Sequence, residues 1–145
     1  MRRGFTIISH TADIGFVARG RTLAELAQNS ADALLEVMFE SAVVATSGSR
    51  SARLRIKVTS VSKDIALWKF LQDILSEIQG RAMACETVLV KNFGNKNGMF
   101  EIDSVISLKR PKGHFTRLDV KAVTPHNLKI TKRGGIFYSK FILDI

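Results

Sequence analysis

The sequence predicts an α+β fold, a two-layer sandwich in which two helices pack on one face of a mostly antiparallel or mixed sheet. Three observations predict it. Apolar residues recur at three- and four-residue spacings in two windows, near 23–40 and 64–79, as core-facing helices require. Most of the remaining chain alternates apolar and polar residues with the period of a half-buried strand. The late strands are joined by stretches such as Gly94–Gly98 and Lys132–Gly135, too short for the crossover that parallel neighbours need. The order strand, helix, strand, helix, then several strands gathers the helices on one side of the sheet. With 145 residues, 46% of them hydrophobic, the chain has the size and apolar content of one domain, residues 1–145.

Each element has a local cause. Thr22 and Glu25 form a capping box, so a helix starts at Leu23. Leu23, Leu26, Ala27, Ala31, Leu34, Leu35 and Met38 make its buried stripe, with Glu25, Asp32 and Glu36 outside, and it ends near Glu40. The Ser-, Gly- and Arg-containing stretch 46–52 reads as a mobile loop. Strict alternation in Arg53-Leu54-Arg55-Ile56-Lys57-Val58 puts three cations on one strand face and three aliphatics on the other. A second helix runs from Asp64 to Gln79, with Ser62 as N-cap and Gly80 ending it. Leu67, Phe70, Leu71, Ile74, Leu75 and Ile78 are its core face, and Trp68 reads as core or rim packing. Residues 84–92 and 99–108 form a hairpin around Gly94-Asn95-Lys96-Asn97-Gly98. In 117–123, Leu118, Val120 and Ala122 point inward while Arg117, Asp119 and Lys121 point outward; a last pair, 127–132 and 136–143, turns at Lys132–Gly135. Leu26, Leu34, Leu71, Ile74, Leu118 and Val120 should share one core.

The net charge is +9 and unevenly spread. Residues 104–143 hold nine Lys/Arg against the single acid Asp119, whereas 23–40 hold four acids and no base. Such a surface attracts RNA, or an acidic or RNA-bearing protein. No run of about 18 apolar residues and no secretory leader occurs, so a soluble, cytoplasmic protein with no membrane partner is expected. Cys85 is the only cysteine, which excludes an intrachain disulfide and a multi-cysteine zinc site. Phosphate-loop, nucleophile-elbow and His-Glu-x-x-His motifs are lacking, which removes the usual equipment of nucleotide hydrolysis and proteolysis.

What remains is His10, Asp13, Lys121, His126, Asp144 and the carboxylate of Ile145. Asp13-Ile14-Gly15 could be an ordinary turn and Asp144-Ile145 a frayed tail. If the fold joins the two ends, however, the carboxylates of Asp13, Asp144 and Ile145 converge. That is unfavourable unless a cation neutralises them.

His10-Thr11-Ala12-Asp13-Ile14-Gly15, followed by Ala18, Gly20 and the Thr22-Leu23 helix start, resembles the opening of the archease family. Val120-Lys121-Ala122-Val123-Thr124 with His126 resembles that family's second signature, His114 lies where the family often has a histidine, and Leu143-Asp144-Ile145 is similar to its C-terminus. The resemblance spans nearly the whole chain. It implies a non-catalytic activator of the tRNA-splicing RNA ligase, which joins 2′,3′-cyclic phosphate or 3′-phosphate ends to 5′-hydroxyl ends. Such an activator promotes the ligase's guanylylation by GTP and its repeated turnover. The resemblance further implies a divalent cation, Ca²⁺ or Mg²⁺, at Asp13 and Asp144 with Ile145 as a further oxygen donor. It also implies ligase activation through Asp13, Lys121, Asp144 and His10, and no nucleotide cofactor of the chain's own. Pro125 stands where the family usually has an aromatic residue, and Arg110 where an acid is common. The basic charge also departs from a family that is often acidic, and either a particular ligase surface or direct contact with tRNA would account for it.

Two other classes compete. A freestanding RNA-binding module would use Arg53, Arg55, Lys57, Arg117 and Lys121 as a cationic sheet face, although aromatic interleaving is missing there. A small metal-dependent hydrolase would use Asp13 and Asp144, without an identifiable general base. Neither reading involves DNA.

Overall fold

Both helices begin where a hydroxyl meets an orphan amide. In the computed structural model, which describes residues 4–9, 13–40, 44, 49–110, 116–126 and 128–145, Thr22 Oγ1 accepts from the Glu25 amide at 3.0 Å and opens α1 (Leu23–Met38). The Glu25 carboxylate accepts from the Arg21 amide at 3.4 Å and does not return to Thr22, so the capping box closes on one side only. Ser62 Oγ accepts from Ile65 at 3.3 Å and opens α2 (Lys63–Arg81). Gly80 does not end this helix. Ala82 takes the left-handed conformation, φ 51°, and its amide reaches the Ile78 and Gln79 carbonyls, so the terminating geometry falls two residues later than the glycine suggests. His10, His114 and residues 46–48 of the predicted loop lie outside the described residues.

The strands are β1 (Phe5–Ser9), β2 (Ile14–Gly20), β3 (Ser49–Ser60), β4 (Ala84–Lys96), β5 (Met99–Arg110), β6 (Ala122–Thr124), β7 (Thr131–Arg133) and β8 (Ile136–Asp144). Among the described residues, two long helices on mostly antiparallel sheet make the α+β class, as predicted. The strands divide into two hydrogen-bonded sheets, β1-β2-β8-β6 with β7 also on β8, and β3-β5-β4. Three pairings follow from short connections: β1 with β2, β4 with β5 and β7 with β8 are all antiparallel.

Residues 49–52 of the predicted loop open β3, Val123 and not Ala122 faces the core beside Leu143, and three further strand expectations need correction. The β4–β5 hairpin extends to Lys96↔Met99, and its tip is the two-residue turn Asn97-Gly98, with φ of 54° and 84°. Two positive φ values are what a tight hairpin turn matching the strand twist demands. Residues 117–121 keep the predicted alternation, Arg117 exposed and Val120 buried, but are not sheet. The Arg117 amide instead donates to the Met38 carbonyl at the end of α1, at 2.7 Å. Finally, two strands precede α1, not one.

One core joins both layers. Leu26, Leu34, Leu71, Ile74 and Val120 are fully buried, and Leu118 packs against them partly buried. Helix side chains also satisfy the sheet edges, whose backbone groups would otherwise be orphans. Gln28 of α1 donates to Val88 O at 2.7 Å and accepts from Val90 N at 2.8 Å along the β4 edge. From α2, Trp68 Nε1 donates to Val123 O at 2.7 Å and Gln72 accepts from Val123 N at 3.0 Å.

Candidate functional site

Strand β8 organises the site. β2 pairs along one side of it, and β6 and β7 share the other. Phe141 and Leu143 point into the core with Phe16, whose ring centroid lies 4.9 Å from that of Phe141. By alternation Lys140, Ile142 and Asp144 belong to the opposite, outer face, together with Gly15 and Val17.

The register then joins the two ends of the chain. Ile14 pairs with Leu143, so extending β2 by one residue sets Asp13 opposite Asp144, and on the other flank Asp144 pairs with Ala122. Side chains on such a rung stand roughly 4.5–5.5 Å apart at Cβ. Lys121 adjoins them, its amide donating to Asp144 O at 2.7 Å. Gly15 permits this approach, because a Cβ there would lie 2.5 Å from the Phe141 carbonyl oxygen. Trp68 and Gln72 hold Val123, and Gln79 donates to Val120 O at 2.8 Å, fixing the segment that carries Lys121 on both sides. These three positioning residues were missed in the sequence because they lie within an apolar helix pattern. Their amide and indole groups on the core side were the available signal.

Asp13 is half-buried, whereas Asp144, Ile145, Lys121 and His126 are exposed. Neither carboxylate nor the Lys121 ammonium is paired with another described residue. Among the described residues no three His, Cys, Asp or Glu side chains converge, and the side chains that could hold a metal here are the two carboxylates of Asp13 and Asp144. That set is chemically suited to a hard cation that retains water ligands, Ca²⁺ or Mg²⁺, and unsuited to zinc. Cys85 lies elsewhere, buried, its thiol pushed up to about 12 by desolvation.

The cations read as an RNA-binding face are mostly engaged and do not share one face. Arg55 makes a bidentate pair with Asp103 at 2.9 Å, which holds the Asp103 carboxyl below its ordinary range. Lys57 lies 3.6 Å from Glu101. Arg117, at the end of α1 and away from β3, grips Glu40 at 3.1 Å and approaches Glu36 at 3.7 Å. Arg53 is exposed. Two clefts flank α1. One of about 380 Å³ is lined by Leu35, Phe39, Cys85, Asp32 and Glu86, and burial raises the Asp32 carboxyl; one of about 460 Å³ is lined by Arg19, Arg21, Glu25 and Tyr138.

Residues 5–145 match the model of the Archease protein family (MTH1598/TM1083). The chain belongs to the archease family. Among relatives, the protein archease of Methanothermobacter thermautotrophicus is 29% identical over 143 residues, covering 99% of both chains. That of Sulfurisphaera tokodaii is 30% identical over 141 residues, covering 97% of this chain and 98% of its own. The archease fold is likewise shared with solved structures. The solution structure of Methanobacterium thermoautotrophicum protein 1598 superposes with a TM-score of 0.82 at 27% identity, covering 99% of this chain and 100% of its own. A Thermotoga maritima archease, described as a possible chaperone, has a TM-score of 0.60 at 20% identity, covering 95% and 94%. No helix among the described residues is long and apolar enough to cross a membrane.

Proposed function

We propose that this archease activates the tRNA-splicing RNA ligase, promoting its guanylylation by GTP and its multiple turnover without catalysing RNA joining itself. The observation that supports this reading is the Ile14↔Leu143 pairing, whose next step faces Asp13 toward Asp144, together with the Lys121 amide bond to Asp144 O. Those three residues come from both ends of the sequence, yet they adjoin the same end of the sheet.

Asp13 and Asp144 would hold a divalent cation, with Ile145 as a further oxygen donor. Such a cation neutralises the carboxylates and offers positions for a partner's acidic or phosphate oxygens. The Lys121 backbone holds it next to Asp144, and its ammonium would steady the carboxylates or meet a phosphate of the ligase-bound nucleotide. An activator shifts a ligase equilibrium only by binding one state better. The cluster supplies that discrimination if it contacts the guanylylation-competent form. His10 adjoins the same motif in sequence and is assigned to the ligase-facing group on the family resemblance.

The test is multiple-turnover RNA joining by the ligase with and without this protein. Wild type should raise turnover, Asp13→Ala and Asp144→Ala should abolish the stimulation with the fold retained by circular dichroism, and Lys121→Ala should weaken it. RNA joining in the absence of ligase would refute the role.

A further inference from the structure

The outer face of the five-stranded sheet is electrically bipolar. At one end lie Asp13 and Asp144; away from it lie Lys140, midway along β8, and Arg133, paired with Ile136 in the β7–β8 hairpin, and residues 120–143 contain no acid. Lys140 shares the outer face with Asp144 by alternation along β8. Tyr138 does so too, and pairs with Arg19 on β2 and with Thr131 on β7. At about 3.4 Å per residue, Tyr138 stands roughly 20 Å along the strand from Asp144.

The ion pairs explain why the positive charge accumulates here. Arg55, Lys57, Arg81, Lys109 and Arg117 are matched by Asp103, Glu101, Glu77, Glu86 and Glu40. Lys132, Arg133 and Lys140 are exposed and have no carboxylate partner among the described residues. Two of them sit over aromatic rings instead. The Arg133 guanidinium carbon is 5.0 Å from the Tyr138 ring centroid, and Lys132 Nζ is 5.1 Å from that of Phe137. Beside them the cleft of about 460 Å³ is lined by Arg19, Arg21 and Tyr138, with Glu25 its one acid.

We infer that the outer face of the β7–β8 hairpin and of β8, through Arg133, Tyr138 and Lys140, binds single-stranded RNA. Unpaired nucleic acid is recognised by cations that follow its phosphates and by rings or guanidinium planes on which its bases stack. Arg133, Tyr138 and Lys140 offer both kinds of group on one face, whereas Lys132, paired with Phe137, belongs to the opposite face. The β3 face offers cations mostly occupied by carboxylates. An acidic protein patch would use the cations but has no use for a half-exposed ring between them. The inference rests on the ligase reading only for choosing RNA among polyanions.

The experiment is fluorescence anisotropy of a labelled, unstructured oligoribonucleotide with this protein alone, across a salt series. Wild type should bind with an affinity that falls as salt rises, and each cation removed should lessen the logarithmic salt slope by about 0.7. The combined Arg133→Gln and Lys140→Gln substitutions should weaken binding about tenfold or more at low salt. Tyr138→Ala should weaken it by about tenfold, with Tyr138→Phe restoring it, since stacking needs the ring and not the hydroxyl. Arg55→Gln should bind like wild type. Failure of wild type to bind RNA, or wild-type binding by the double variant, overturns the inference. In a separate pull-down, a double variant that keeps RNA binding but loses salt-sensitive association with the ligase also overturns it, making the partner an acidic protein surface. Because no ligase is present in the anisotropy assay, its failure is distinct from failure of the activation reading.

Discussion

Gly15→Ala tests why the first sequence motif closes with glycine. A Cβ built there meets the Phe141 carbonyl oxygen at 2.5 Å, and that oxygen belongs to the backbone of β8, which pairs with β2 from Ile14↔Leu143 to Gly20↔Phe137. A flexible side chain could rotate away, but a paired strand must shift. Forced overpacking of this kind costs about 1–3 kcal/mol. A chain of this size loses about 3–4 °C of midpoint per kcal/mol, so Tm should fall by roughly 3–12 °C. The strand shift should also pull Asp13 off the Asp144 rung, lowering ligase stimulation beyond what the stability loss explains. Gly80→Ala supplies the contrast. Nothing lies within 4 Å of a Cβ at Gly80, inside α2, so alanine should stabilise by about 0.5–1 kcal/mol. Differential scanning calorimetry of both variants decides the matter, and a Gly15→Ala protein as stable as wild type would refute the steric account.

Gln28→Ala should cost about 1–3 kcal/mol in chemical denaturation, because it leaves the Val88 carbonyl and Val90 amide on the β4 edge unpaired. Cys85 should resist alkylation in the native protein at pH 8 and react on unfolding. Its thiol is raised from 9.0 to about 12 by burial, so the stability it contributes is complete below pH 9 and is lost as pH rises toward about 12. Millimolar Ca²⁺ or Mg²⁺ should raise the wild-type unfolding midpoint by mass action and leave the midpoints of Asp13→Ala and Asp144→Ala unmoved; an unmoved wild type would argue against a metal role for the pair.

Periodicity located both helices and most of the core, since burial of Leu26, Leu34, Leu71, Ile74 and Val120 follows directly from their spacing. Local chemistry located caps less completely. Thr22 and Ser62 behave as expected, but the helix-ending conformation at Ala82 rather than Gly80 depends on carbonyls that only the folded helix presents. The division into two sheets was not legible, because alternation reports a buried face and is silent on which strand lies alongside. The same limit applies to residues 117–121, whose pattern is strand-like while the Arg117 amide goes to Met38. Candidate site residues were named from motifs, and the register that brings Ile14 to Leu143 was not legible in them. The charge was read correctly in amount but not in place, since the carboxylates opposite Arg55, Lys57 and Arg117 come from distant parts of the sequence.

The central claim is that Asp13 and Asp144 work as one unit on the ligase, and a double-mutant cycle in ligase guanylylation measures it most directly. Asp13→Ala, Asp144→Ala and the double variant are compared with wild type at saturating protein, with equal folded fractions verified. Groups acting as a unit are strongly non-additive. Each single substitution should therefore remove nearly all of the stimulation, and the double variant should be no worse than either. Partial losses that multiply in the double variant, or full stimulation by either single variant, would contradict the account.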